Sequence, residues 1–297
     1  MPAKKKAVAI AFAATLLIAL AAGLAAASTS SVTITSPKTG STTILHTNPY
    51  TAVAGGVSFS PATAQTTRFY LRRDGCGSSN DNPHLSTQSG TDGGDGCGLV
   101  INAVTGLGGD ADQGAFVDFP ATDGMPLALD TGNSITGQID ISGTAVGLVE
   151  VDISMEALVG GQGVAVGSTT VSAVVDPTLS DNAIPFSFQP SASLGGADLQ
   201  ALDLRVHIHG PNADSGFMGF SGKAWVDVPS FSASVNKSVS VSVDDPTFAN
   251  PVPARVSGST WSVAIPTPAA GKHTIYAEST QGFDISAPAS TTFTVKR

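Results

Sequence analysis

Two cysteines, a scatter of aspartates, one pair of histidines and one tryptophan are the residues of this chain best placed to do chemistry. Cys76 and Cys97 are its only cysteines, and each sits in an Asp-Gly-Cys-Gly quartet. Asp92 and Asp95 lie between them, and Asp110 and Asp112 follow in GGDADQG. His207 and His209 stand two apart in LDLRVHIHG, and Trp225 stands in KAWVDVP.

The cysteines admit three uses. A structural zinc needs about four ligands, and only His84 is near in sequence. A redox pair more often reads CxxC, which this is not. In an oxidising compartment two cysteines normally form a disulfide. Closing the 20-residue interval would stabilise the fold by ~3 kcal/mol in the chain-entropy view. A Cys76–Cys97 bond is therefore expected. The aspartates Asp92, Asp95, Asp110 and Asp112 offer the oxygen ligands that calcium takes, although no Glu closes an EF-hand loop. Asp and Gly are also ordinary turn residues, so a solvated loop stays open beside the calcium reading.

Strand alternation puts Leu202, Leu204, Val206 and Ile208 on one face of LDLRVHIHG and Arg205, His207 and His209 on the other. With the apolar face in the core, the histidines face solvent or a groove, where the pair could share a metal or touch a ligand. Trp225 alternates with Asp227, while Ala224, Val226 and Val228 share the opposite face. Trp225 is thus the candidate for an exposed ring that stacks on a sugar, with burial under a neighbouring domain as the other reading. Trp261 alternates with Val263 and Ile265 and reads as core.

Hydrolytic chemistry lacks a local signature. There is no HExxH and no GxSxG. No Gly-rich loop joins a strand to a helix as a phosphate cradle would. Glu150, Glu156 and Glu278 are the only glutamates and make no evident acid/base pair. The expectation is a protein that is not an enzyme.

The elements that carry these residues are short strands. SVTIT, TRFYLR, SITGQIDIS, LVEVDISMEAL, IPFSFQP, SVSVSVDD, STWSVAI and TTFTVK all alternate with period two between turn residues. Strands at this spacing indicate sandwiches or jelly rolls. The one helix-compatible piece beyond the N-terminal segment is around Gly196–Leu202. The chain opens with Lys4, Lys5 and Lys6, an apolar run from Ala7 to about Gly23, and small residues at Ala25–Ala27, which is the layout of a secretory signal peptide. An uncleaved anchor is the alternative, since the apolar run approaches the ~20 residues that span a bilayer. The 23 acidic residues against 14 basic ones, three of those in the leader, argue against nucleic acid or an anionic membrane as partner.

The tail ARVSGSTWSVAIPTPAAGKHTIYAESTQGFDISAPASTTFTV resembles the bacterial Ig-like domains of secreted and surface proteins. The resemblance rests on Trp261 after Gly258-Ser259-Thr260, the turn Ala270-Gly271, and the strand His273–Ala277. Such domains usually open with a TSP..G strand. That strand appears at the other end of the chain, in ITSPKTGSTT. Two arrangements follow: two Ig-like domains, or one domain split by an insertion. The middle block, through GMPLALDTGNSITGQIDIS and IPFSFQPSASLGGADLQALDLRVHIHG, resembles more weakly the jelly-roll modules of galactose-binding type.

The sequence thus predicts an all-β protein with Ig-like sandwich elements at both ends and a central jelly roll. The expected parts are a signal peptide at 1–27, N-terminal strands with the stapled loop at 28–114, a jelly roll at 115–229 and an Ig-like domain at 230–297. The expected function is extracellular adhesion or structural interaction with a cell-surface or matrix protein or glycan; the alternative is carbohydrate binding.

Overall fold

The structure is a computed structural model and describes residues 30–44, 49–74, 82–89, 99–101, 117–121, 123–143, 147–176, 178–179, 182–209, 216–219 and 223–297. Along the chain the strands are β1 (Ser31–Ser36), β2 (Ser41–Ile44), β3 (Tyr50–Ser58), β4 (Ala64–Asp74), β5 (Asn82–Ser86), β6 (Leu99–Ile101) and β7 (Val117–Pro120). Next come β8 (Leu127–Leu129), β9 (Ile135–Gly143), β10 (Gly147–Val159), β11 (Gln162–Val175), β12 (Asn182–Phe188), β13 (Asp198–Leu199) and β14 (Ala201–His209). The last are β15 (Gly216–Gly219), β16 (Trp225–Phe231), β17 (Lys237–Val243), β18 (Val252–Ser257), β19 (Thr260–Pro266), β20 (Gly271–Gln281), β21 (Asp284–Ile285) and β22 (Ala289–Lys296). The chain is all-β, as the alternating runs predict. Among the described residues the one helical piece is a 3-10 turn at Ala192–Leu194, just upstream of the expected position. Leu199 and Leu202 pack in the core from strands instead.

The strands enclose two separate apolar cores. The first sheet runs β1-β3-β19-β18-β17-β20-β22-β2, with β21 on β20. Strands from both ends of the chain therefore share it. Its inner rows are Val53 and Val57 on β3, Val239 and Val241 on β17, Ile275 and Ala277 on β20, and Phe293 and Val295 on β22. Trp261 fills the middle at 2% exposure and donates its indole N–H to the carbonyls of Thr33 and Gly56 at 3.2 and 3.1 Å. The ring fits because β3 carries Gly55 there. A Cβ on Gly55 would lie 1.8 Å from the Thr33 oxygen and 2.7 Å from the indole.

The second core lies between two other sheets. One is four-stranded, β11-β10-β14-β7. The other runs β13-β8-β16-β9-β15-β6, with β12 on β9, β4 on β16 and β5 on β4. Val151, Ile153 and Met155 of β10 and Leu202, Leu204 and Val206 of β14 pack with Ile139, Val226, Val228, Phe69 and Leu71 of the larger sheet. These fully buried rows are the ones alternation places inward. The segment TRFYLR, which the sequence reading grouped with the N-terminal strands, belongs here: β4 pairs with β16, Phe69 opposite Val226. Its side chains Phe69 and Leu71 match the second core, which a sequence pattern cannot specify at a separation of more than 150 residues.

The chain leaves the first sheet after β3 and returns to it before β17. The buried amide of Gln281 holds both crossings. It accepts from the Ser60 N–H at 2.9 Å and donates to the carbonyls of Ser60 and Ser234, each at 2.9 Å. All the polar capacity of this side chain that matters at the crossing is used, which is what a residue 3% exposed requires.

Candidate functional site

The polar face of the four-stranded sheet gathers the ionisable residues. Outward positions alternate with the core rows, so Glu150, Asp152 and Glu156 on β10 face the same side as Asp203, Arg205 and His207 on β14. Register sets the neighbours: Asp152 opposite His207, Glu156 opposite Asp203, and Arg205 opposite Asp118 of β7. Arg205 donates from Nε to Asp118 at 2.8 Å and from Nη1 to Glu156 at 3.2 Å. The Asp118 hydrogen bond holds the guanidinium firmly charged. Asp203 is pushed up to about 6, first by burial and then by the charge of Asp118. A carboxyl titrating there can exchange protons at neutral pH, but Asp203 does not line the cleft described below.

His207 is 4% exposed, with Nδ1 3.6 Å from an Asp152 carboxylate oxygen. It is therefore buried, and a reading of it as a solvent-facing strand histidine is corrected here. Alternation told which face it takes, not what lies over that face. His209 ends β14 opposite Glu150; its side chain lies outside the described residues, as do Cys76, Cys97, Asp92, Asp95, Asp110 and Asp112. Among the described residues no three His, Cys, Asp or Glu come together as a metal-holding group. No helix among them is long and apolar enough to cross a membrane.

Trp225 is half-buried, and one face of its ring is occupied. The Arg68 guanidinium sits 4.0 Å from the ring centroid. Cross-strand register brings it there: Asp227 opposite Arg68, with Trp225 two residues away on β16. Arg68 also makes a two-pronged bond, Nε to Oδ1 and Nη2 to Oδ2 of Asp227, both at 2.7 Å. Arg68 escaped the sequence reading because its partners lie 159 residues further on.

A cleft of about 140 Å³ opens where the two cores meet. Phe231, Ser232, Ser234, Asp198 and Pro126 line one side, and Phe283 and Asp284 the other. Asp198 accepts from Ser234 Oγ and Asn236 Nδ2, each at 2.9 Å through Oδ2. Phe283 is 43% exposed at the mouth. No sequence signal pointed here, because the two walls come from distant segments.

The last feature is an edge. β11 is bonded to β10 on one side, and its other side faces outward among the described residues. It is 14 residues long and contains neither proline nor a charged residue. Ser168, Thr170 and Ser172 are exposed, and Val174 is 71% exposed.

No protein-family model matches the chain. No curated protein matches it in sequence. Among solved structures it is similar to the infectious bursal disease virus VP2 subviral particle, at 14% identity over 60% of this chain and 42% of that one, with a TM-score of 0.24. It is also similar to the infectious bursal disease virus Gx strain structure, at 16% identity over 73% of this chain and 44% of that one, TM-score 0.24. The chain thus spans less than half the length of those structures. The likeness reaches no further than β texture.

Proposed function

We propose that the protein acts outside the cell as a non-enzymatic structural and adhesive module that engages its partner by strand addition. The terminal sheet is read as Ig-like, the central block as an inserted jelly roll of galactose-binding type, and the N-terminal segment as an export signal. The observation that carries the proposal is the uncharged, exposed, outward edge of β11. Natural sheets blunt such edges with charge, proline or short length, because an unpaired row of N–H and C=O groups recruits another strand. Strand addition is a recurrent way of binding an extended partner. The test is binding of the purified chain to intact cells or matrix, with and without Thr170→Lys. Loss of at least tenfold in apparent affinity supports the proposal; unchanged binding overturns it.

A second reading, carbohydrate binding, is favoured by the cleft rather than by Trp225. The cleft sets an exposed phenyl ring beside carboxylates and hydroxyls, the mixture that orients a sugar. Calorimetric titration with a monosaccharide panel checks it. Heat that disappears in Phe283→Ala supports a sugar at the cleft, and no heat with any sugar removes this reading.

A further inference from the structure

Among the described edges of the two sheets around the second core, that of β11 is the exception. β5 carries Pro83, β7 ends in Pro120 and β12 carries Pro185, while β6 and β13 are three and two residues long. Each is blunted by a feature that discourages pairing. β11 has none of these features along 14 residues.

Only part of that length is free. At Val166 an extra residue enters the strand, where the register with β10 shifts beside Met155. The Ser191 N–H closes the edge there, donating to the Val166 carbonyl at 2.8 Å. Phe188 packs against Gly167, whose Cβ would lie 2.8 Å from the ring. The accessible stretch is therefore Ser168–Val175.

An isologous twofold pairing keeps solvent-facing side chains opposite solvent-facing ones, so its centre falls on a residue and not between two. Centring it on Val171 uses the whole run from Ser168 to Val174. Thr170 then faces Ser172 of the second copy, twice by symmetry. Val171 faces its own copy on the core side, and exposed Val174 faces Ser168. Hydroxyl pairs and β-branched pairs are favourable cross-strand partners. Thr170 is already oriented: its hydroxyl donates to Asp152 Oδ1 at 2.6 Å, leaving its oxygen to accept from the incoming Ser172 hydroxyl.

Charge also favours a second copy here. The chain carries a net charge of −9, so identical chains repel over most of their surface. Across paired β11 strands, the nearest facing carboxylates, Asp152 of one copy and Glu150 of the other, stand about 14 Å apart, three interstrand spacings. That exceeds the Debye length of about 8 Å at physiological salt.

We infer that two copies of this chain pair antiparallel through Ser168–Val174 of β11, about a twofold axis at Val171, joining their four-stranded sheets into one. The inference rests on the strand-addition reading and names its partner. Light scattering on a concentration series should show a reversible dimer. Thr170→Lys and, independently, Ser172→Lys should each raise its dissociation constant at least tenfold with an unchanged thermal melt. The register is tested by mild oxidation. The double variant Thr170→Cys/Ser172→Cys should give a covalent dimer, while each single variant and the parent chain give none, since equivalent positions then lie diagonally, too far for an S–S bond. A chain that stays monomeric at all concentrations, a dimer untouched by both lysines, or a double variant that does not cross-link overturns the inference. If the chain is monomeric and Thr170→Lys still abolishes cell or matrix binding, the occupant is another protein's strand and the strand-addition reading survives alone. If the lysines leave that binding intact, the reading itself fails.

Discussion

Trp261 and Trp225 sit in strands of seven residues with similar alternation, one in each core region, and meet opposite fates. Trp261 is sealed inside the terminal sheet, its ring over a glycine and its N–H bonded to two backbone carbonyls. Trp225 lies on the outer face of the larger central sheet, half-buried under Arg68. Both strands point one row of side chains into a core. The difference is which row holds the tryptophan and what the neighbouring strand sets against it. For β19 that neighbour is β3, with Gly55 opposite Trp261. For β16 it is β4, with Tyr70 opposite Trp225 and Arg68 opposite Asp227. Alternation selects a face; register with a distant strand decides its chemistry.

The largest effect expected from this contrast is on stability. Trp261→Ala removes a fully buried aromatic and should cost about 3–5 kcal/mol. Trp225→Ala loses a half-buried ring and a cation–π contact and should cost roughly 1–2 kcal/mol. Urea titration of the two variants measures both. Equal losses would mean that the outer face of the central sheet is as tightly held as the terminal core.

The next effect concerns the link between the regions. Gln281→Leu leaves the Ser60 N–H and the Ser60 and Ser234 carbonyls without the side-chain partner they share. Three lost hydrogen bonds at about 1 kcal/mol each predict a loss of roughly 2–3 kcal/mol. Separate melting of two regions, seen as two calorimetric transitions where the parent shows one, would sharpen the comparison further.

The two regions also answer pH in different windows. Asp203 in the central block has a folded value near 6, above its unfolded value, so the fold is penalised as pH rises from about 4 to 6 and the penalty is constant above that. Asp203→Asn should raise the thermal midpoint at pH 7 and flatten the profile between pH 4 and 6. In the terminal sheet, His273 bonds Asp244 at 2.6 Å and the Ala269 carbonyl at 2.7 Å. Both partners accept, so the ring donates from both nitrogens and is cationic. Its value is raised, chiefly by the Asp244 bond. That stabilisation is full below the unfolded histidine value and is lost as pH rises through the raised one. Burial pushes Asp244 up, yet the bonds from His273 and the Thr274 N–H outweigh it and leave its value lowered. Its contribution is present at neutral pH and is lost only as pH falls through that lowered value. His273→Gln should therefore flatten the profile above about pH 6.5. A single profile unaffected by either variant would remove the distinction.

Much of this was legible in sequence. The strand class, the core rows of β10, β14 and β16, and the burial of Trp261 all follow from period-two alternation. The opening strand ITSPKTG and the tail fall in one sheet. The site features were less legible. Arg68, Asp118, Phe283 and Asp284 acquire their roles from cross-strand register or from a meeting of distant walls. His207 was placed on the correct face, but nothing local to HIH says that the face is covered. The edge of β11 was visible as composition, a long run without charge or proline, yet only the sheet order shows that one side of it has no partner among the described strands.

The smallest expected effect gives the most direct reading of the contrast. The chain has two tryptophans, so its fluorescence reports these two sites and no others. Arg68→Ala removes an exposed ion pair that contributes only ~0–1 kcal/mol, so stability should barely move. It also uncovers a face of Trp225. Quenching by neutral acrylamide should then rise by roughly the share of emission that Trp225 supplies, while the Trp261 share stays protected as burial at 2% exposure demands. Arg68→Lys separates charge from shape: a lysine restores the cation but not the flat cover or the two-pronged bond to Asp227. Quenching in the lysine variant close to that of the alanine variant would show that the planar guanidinium shields the ring. Quenching unchanged in both would mean that Trp225 is protected from elsewhere, and that the two tryptophans differ less than their positions suggest.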